Sequence, residues 1–214
     1  EPADTVPLQQ VRLRDQLRRA REIVRVNHRY RAFVLMRAVL LFARAGMPFL
    51  TVFAKRQLHV SDAFLGSLVS ITLGCSLVAG LLWGRLNDRR GSRAVLSLSA
   101  LLGCAAFVLA IVMTRSPIAI APALLVACVV LSGVCGSGLN VSLLPLMMDI
   151  TPADERPLYF GLNNTTLGVV LLLTSIVGLI ADAFGYAALF AFCGLCFILI
   201  LRQLAVIAQA PKTT

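Results

Sequence analysis

Two arginines inside the first long apolar run, residues 33–54, are the side chains whose type and spacing could do the most chemistry. The run is long enough to cross a membrane, and Arg44 is its twelfth residue, so its guanidinium is expected near the bilayer midplane. Arg37 precedes it by seven residues, close to two helical turns, and therefore shares its helix face. At the midplane a guanidinium that faces lipid costs at least about 2.5–3.5 kcal/mol. Arg44 is accordingly expected to face a polar cavity.

The sequence offers Arg44 no acidic partner at the same depth, because Asp149 and Asp182 lie near the ends of apolar runs. Its counter-charge has to come from water, helix dipoles, a bound anion or another domain. The alternative to a solute-binding arginine is a structural one, paired with carbonyl oxygens or with an acid of that other domain. Arg37, nearer the end of the run, is expected to extend toward the membrane surface.

Asparagines supply the other strongly polar groups inside apolar runs. A helix wholly surrounded by lipid can be uniformly apolar, whereas a helix that faces a polar cavity cannot. The first, second, fourth and fifth runs contain polar or small residues, and they are expected to line a cavity; the third and sixth are expected to be peripheral. The residues expected to line it are Arg44, Asn140, Asn163 and Asn164.

The composition identifies a membrane protein. Of the 214 residues, 58% are hydrophobic and only 14% are charged, and the mean hydropathy is +0.86. Soluble domains carry about 25% charged and about 45–50% apolar residues, because their surface must face water. The net charge of +10 is concentrated in short segments between apolar runs, which argues against a nucleic-acid partner.

Six apolar runs reach the roughly 20 residues that a helix needs to cross the hydrocarbon core. Helices are expected because a membrane-spanning segment must satisfy its backbone groups internally. The sequence thus predicts an all-α polytopic protein with a transmembrane domain over residues 32–208, a basic amphipathic linker over 1–31 and a tail over 209–214. The linker helix is expected either on the membrane surface or in solvent. The six spans are expected at residues 33–54, 63–84, 94–114, 120–148, 158–182 and 186–208.

Prolines and basic residues add detail to this arrangement. Pro117 and Pro122 predict a loop near residues 115–121, and Pro145 predicts a bend near the end of the fourth span. Of the 20 lysines and arginines, 15 fall on one side of a six-span arrangement and three on the other. Because basic residues are retained on the cytoplasmic side, both termini are expected in the cytoplasm.

Residues for catalysis or metal binding are not clustered in the sequence. His28 and His59 are expected at opposite ends of the first span, and the six cysteines all fall inside apolar runs. A membrane-embedded enzyme would need a metal cluster, a Ser–His pair or paired intramembrane acids. We therefore expect no catalytic residue, no metal and no cofactor.

The segment between the second and third spans contains glycines and an aspartate at defined spacings. Gly84 permits close helix packing, Gly91 permits a turn, and Asp88 can accept hydrogen bonds from a helix N-terminus. The segment resembles the G-x-L-x-D-R-x-G-R-[RK]-x-x-[LI] loop of the major facilitator superfamily, with Ser92 where a basic residue is usual. A generic basic hairpin, the alternative, would not require these offsets. The matching residues are Gly84, Leu86, Asp88, Arg89, Gly91, Arg93 and Leu96.

Two further turns are similar to those of the same family. Residues 151–161 look like the turn that enters its eleventh helix, and residues 182–186 look like the outer turn between its last two helices. In that family, twelve helices form two six-helix halves. The basic linker resembles the connection between the halves, so the resemblance favours the C-terminal half.

The resemblance implies half of a secondary transporter in the cell membrane, plasma or inner, that moves a small solute by alternating access. The expected partners are that solute, the lipid bilayer and an N-terminal six-helix half. Arg44, Asn140, Asn163 and Asn164 would line the cavity, and residues 84–93 would close the cytoplasmic gate. The alternative is a non-transporting six-helix binding or regulatory membrane protein that self-associates.

Overall fold

The computed structural model describes residues 27–209, and within them it is built of helices without a strand, as predicted. Most of the predicted linker and nearly all of the predicted tail lie outside these residues. The helices are α1 (His28–Ala45), α2 (Met47–Gln57), α3 (Asp62–Arg90), α4 (Ser92–Arg115), α5 (Ala121–Ile150), α6 (Arg156–Leu173) and α7 (Ile176–Gln209). Between α5 and α6 a single 3-10 turn covers Ala153–Glu155.

The first apolar run forms two helices because the chain breaks at Gly46. Pro48, near the beginning of α2, has no N–H group and cannot continue the hydrogen-bond ladder to the Arg44 carbonyl four residues earlier. Gly46 also lies against α7, where an added Cβ would collide with the Cys193 sulfur. The break therefore follows from a proline and from a close helix approach that only glycine permits. At its other end, α1 begins at His28, where the Asn27 side chain accepts a hydrogen bond from the Tyr30 N–H group.

Gly91 makes the turn between α3 and α4. Its φ of 78° lies in the left-handed region that favours glycine, and its N–H group donates to the Asn87 carbonyl at 2.8 Å. The loop between α4 and α5 covers residues 116–120, so the predicted loop near 115–121 is confirmed. α5 continues through Pro145 for a further five residues.

Five segments within the described residues are long and apolar enough to cross a membrane, where the sequence predicts six spans. The difference lies at the end, where the predicted fifth and sixth spans belong to one stretch of 53 residues, Ala153–Ala205. That stretch is helical except at two places. It breaks between α6 and α7 near Thr174, and again inside α7 at Gly185, where φ is 82° and ψ is 172°.

The first limb of this last stretch runs in the same direction as α1 and α2. The Tyr30 hydroxyl donates to the Tyr159 carbonyl at 2.8 Å, and the two rings lie 4.6 Å apart. Further along, the Phe49 ring lies against Gly178, 3.5 Å from where a Cβ would be.

The second limb runs in the opposite direction. After Gly185, the Tyr186 ring lies 5.4 Å from Phe53, near the far end of the first run. Near the end of α7, the Arg29 guanidinium reaches the Ile207 carbonyl at 3.5 Å, back at the beginning of α1. The two limbs of the last stretch are therefore antiparallel, with Gly185 between them.

Aromatic rings fill the core where α4 meets α7. Phe107 lies between Phe190 and Phe197, with ring centroids 6.1 Å and 5.9 Å away. In the 18-residue apolar centre of α4, 44% of the residues are buried, against 11% in α3. α4 therefore buries a larger share of its residues in this part of the chain than α3 does, and α3 leaves most of its apolar surface uncovered.

The seam between α3 and α5 is held by hydrogen bonds to backbone carbonyls. The Ser76 hydroxyl donates to the Gly133 carbonyl at 3.1 Å, and the Ser137 hydroxyl donates to the Ser76 carbonyl at 2.9 Å. One end of the seam is closed by Trp83, whose Nε1–H group donates to the Val134 carbonyl at 2.9 Å. Together these bonds tie about two turns of α3 to α5.

Candidate functional site

Arg44 lies in the last turn of α1, two residues before the break at Gly46. Its side chain is exposed within the described residues, and its Nη1 donates to the Asn140 Oδ1 of α5 at 3.4 Å. The sequence separates these residues by 96 positions, so the contact depends on how α1 packs near α5. The structure thus joins two of the four predicted cavity residues directly.

A cavity of about 720 Å³, here named the large cavity, surrounds this contact. Its wall is mostly apolar and comes from α1, α2, α3 and α5, with Phe197 from α7. Several hydroxyl groups line it as well, but their protons are already donated to backbone carbonyls. These hydroxyls belong to Thr72, Ser76, Ser132 and Ser137. Arg44 and Asn140, which are bonded to each other, are therefore the main polar lining groups with side-chain N–H donors to spare.

A second cavity of about 250 Å³, here named the small cavity, shares Asn140 with the first. Its polar lining also includes Arg37 of α1 and the neighbouring asparagines 163 and 164 of α6. The remaining lining residues are Leu143, Leu144, Met147 and Phe160. The four predicted cavity residues are thus divided between two adjoining cavities, and Asn140 belongs to both.

Asn163 is the most buried polar residue of the small cavity, with only 2% of its surface exposed. Its Nδ2 donates to the Asn164 Oδ1 at 3.3 Å, whereas its own Oδ1 has no hydrogen-bond partner among the described residues. Leaving such an oxygen unpaired costs about 1–3 kcal/mol. Asn163 therefore places at the small cavity a buried acceptor that no described residue satisfies.

Arg37 lines a cavity although it is not among the four predicted cavity residues. It is expected from the sequence to extend toward the membrane surface; in the structure it is half-buried and, like Asn163, lines the small cavity. The useful signal was its spacing of seven residues from Arg44, which puts both guanidinium groups on one helix face. Depth in the run, on which the expectation rested, does not show which neighbouring helix covers a residue.

Neither arginine has an acidic partner in the described part of the chain. The ion pair found there joins Lys55 to Asp62, away from both cavities, and both side chains are largely exposed. No group of three or more His, Cys, Asp or Glu side chains that could hold a metal ion occurs among the same residues. The cavities therefore offer cationic and amide groups to a solute.

The predicted gate residues form a separate feature at the junction of α3 and α4. Asp88 and Arg89 are exposed in the last turn of α3, and Gly91 makes the turn itself. None of the six, Gly84, Leu86, Asp88, Arg89, Gly91 and Arg93, lines either cavity. The structure does not bring the gate motif and the cavity residues together within the described residues. Their connection is indirect, since Trp83, next to Gly84, is bonded to α5.

Comparison with known proteins agrees with this arrangement of apolar helices around polar cavities. No curated protein matches the chain at a significant level. Residues 33–213, by contrast, match the profile of the Major Facilitator Superfamily, and they include every described helix after the first turn of α1. That match covers most of the 214 residues, and the family is one of membrane transporters rather than enzymes. The chain is therefore a multi-pass membrane protein that belongs to the Major Facilitator Superfamily.

Proposed function

We propose that the chain is one six-helix half of a secondary transporter that moves a small solute by alternating access. The observation that carries this proposal is the pair of adjoining cavities with two arginines and three asparagines in an otherwise apolar bundle. Polar groups at membrane depth are costly and are kept where a solute or water passes. In this family mechanism, two halves rock around a site near the midplane.

Six crossings follow if the last 53-residue stretch passes through the membrane twice. As a continuous helix it would be roughly 80 Å long, more than twice the ~30 Å hydrocarbon core. Its limbs run antiparallel, and the break at Gly185 lies where the direction reverses. We therefore assign the fifth and sixth crossings to its two limbs, with Gly185 at the turn.

A second six-helix half is needed to cover the cavity side of the bundle. Exposed leucines on α3, with Leu77 75% and Leu81 71% exposed, could face either lipid or protein. The exposed Arg44 and Asn140 cannot face lipid without a large cost. The partner is therefore proposed on this side, where it would close the large cavity.

The alternating-access proposal predicts that Asn140, which borders both cavities, is reached from each side of the membrane in turn. In a variant without native cysteines, Asn140→Cys should react with a membrane-impermeant thiol reagent added outside and, separately, inside. Leu101→Cys serves as the control, because Leu101 is 52% exposed on the apolar surface of α4 and should react from neither side. Reaction of the cysteine at 140 from one side only would contradict alternating access.

The distribution of basic residues predicts that the α3–α4 turn is cytoplasmic and that the end of α4 is external. In the same cysteine-free variant, Asp88→Cys should be labelled only from inside, and Arg115→Cys only from outside. Both residues are exposed, so access does not limit the reaction. Labelling of both cysteines from the same side would overturn the proposed topology.

Asp88→Asn is expected to favour conformations open to the cytoplasm, because a carboxylate at this offset is proposed to hold the gate closed. Loss of one charged hydrogen bond predicts roughly tenfold faster labelling of the cysteine at 140 from inside. Asp149→Asn is the matched control, an exposed acid at the end of α5. Identical labelling rates with and without Asp88→Asn would leave the motif only a topological role.

A further inference from the structure

We propose that the solute is a small organic dianion with a hydroxyl group, and that its two acidic groups bind at Arg37 and Arg44. This proposal rests on the proposed transport function, and it names the substrate class of that same site. The first observation is the positive charge of the cavities. Two guanidinium groups border them, and none of the acidic residues in the described part of the chain lines either cavity. A solute with two negative charges balances them.

The geometry of α1 sets the size of such a solute. Seven residues along a helix separate the two Cα atoms by roughly 10 Å, and both side chains leave the same face. Arginine side chains are long and flexible, so their guanidinium groups can approach each other. A short diacid therefore reaches both, with each carboxylate able to accept two parallel hydrogen bonds from a guanidinium.

The asparagines indicate that the solute also carries a hydrogen-bond donor. Asn140 stands between the two sites, since it borders both cavities and already accepts a bond from Arg44. Asn163 is 2% exposed and borders the small cavity, and its Oδ1 lacks a partner within the described residues. Ionised carboxylates only accept hydrogen bonds, so they cannot satisfy this oxygen. A hydroxyl group next to the acid that binds Arg37 can.

The volumes agree with a compact solute. The small cavity, about 250 Å³, has room for one acidic end and a hydroxyl but is smaller than the pockets of drug-sized ligands. The large cavity, about 720 Å³, leaves space for the second acidic end beside Arg44.

Three small acids test the proposal as binding probes. Malate carries two carboxylates and a hydroxyl group, succinate carries two carboxylates alone, and lactate carries one carboxylate and a hydroxyl group. Radiolabelled malate is first bound to the full-length protein in nanodiscs and then displaced by a competitor. The concentration of lactate that displaces half of it should be at least about tenfold higher than that of succinate. Malate itself should bind more tightly than succinate. An absence of saturable malate binding, or equal displacement by lactate and malate, would overturn the proposal.

Two substitutions connect these affinities to the cavity. Arg37→Gln should lower malate affinity at least about tenfold, whereas Arg115→Gln, the same change at an exposed position outside both cavities, should leave it unchanged. Asn163→Ala should remove the preference for malate over succinate. Because that readout is a ratio of two affinities, a smaller folded fraction of the variant does not alter it. A preference that survives Asn163→Ala would contradict the role of this amide.

The two proposals can fail separately. Labelling of the cysteine at 140 from both sides requires no solute, so it tests alternating access alone. If that labelling alternates and malate does not bind, the transport proposal stands and the dianion proposal falls. If malate binds with the expected dependence on Arg37 and the labelling does not alternate, transport falls and the binding site stands.

Discussion

Replacing Arg44 by alanine should lower the affinity for malate at least about tenfold, because it removes the guanidinium that borders the large cavity beside Asn140. A tenfold loss corresponds to about 1.4 kcal/mol, which one charged hydrogen bond readily supplies. Arg44→Lys keeps the charge but loses the planar group that binds a carboxylate through two bonds, so it should retain part of the affinity. Equilibrium binding in nanodiscs measures both variants, with Arg115→Ala as the control.

A structural role for Arg44 predicts a different result from the same variants. If the guanidinium pairs with an acid in another part of the transporter, alanine leaves that acid buried alone. Stability and expression should then fall together with affinity, and neutralising the acid should restore them. Unchanged affinity and stability in Arg44→Ala would exclude both roles, and Asn163 and Asn164 of α6 would become the better candidates.

Gly138→Leu should destabilise the protein more than a leucine at any other glycine of α5, because Gly138 lies where three helices meet. A Cβ at this position would collide with the Ser99 hydroxyl of α4 and lie 3.0 Å from the Trp83 ring of α3. Overpacking of this kind typically lowers the free energy of unfolding by about 1–3 kcal/mol. Unfolding in detergent, followed by circular dichroism, measures the change.

Gly136 provides the matched control for this prediction. It lies two residues earlier in the same helix, and no atom of another element comes within 4 Å of its Cβ position. Because Gly136 lines the large cavity, a leucine there should change solute affinity while leaving stability nearly intact. Equal stability of the two leucine variants would show that the contact of Gly138 with Ser99 and Trp83 can relax.

Hydropathy and charge predict much of this fold because the membrane fixes the length of a spanning helix. The order of the helices and the loop at 116–120 follow from apolar runs and prolines. Gly46 and Pro48 explain the break in the first run only once the packing of Gly46 against α7 is known, because the run is long enough for one uninterrupted crossing. The reversal at Gly185 lies within residues 182–186, which the sequence predicts as the turn between the last two spans.

The sequence likewise predicts only part of the candidate site. The polar residues of the runs can be found one by one, because each is an exception in an apolar sequence. Their division between two cavities depends on which helices pack against α1, and this is a long-range property. Arg37 is an example, because Asn163 and Asn164 of α6 line the same small cavity although they come more than 120 residues later in the chain.

Trp83 makes the seam between α3 and α5 visible by spectroscopy without an added label. It is the only tryptophan of the 214 residues, it is 6% exposed, and its indole N–H group is bonded to the Val134 carbonyl. Indole emission moves to longer wavelength when the ring meets water. A solute that parts α3 from α5 should therefore shift the intrinsic fluorescence of this chain to the red, whereas a solute that moves the two helices as one unit should leave the spectrum unchanged.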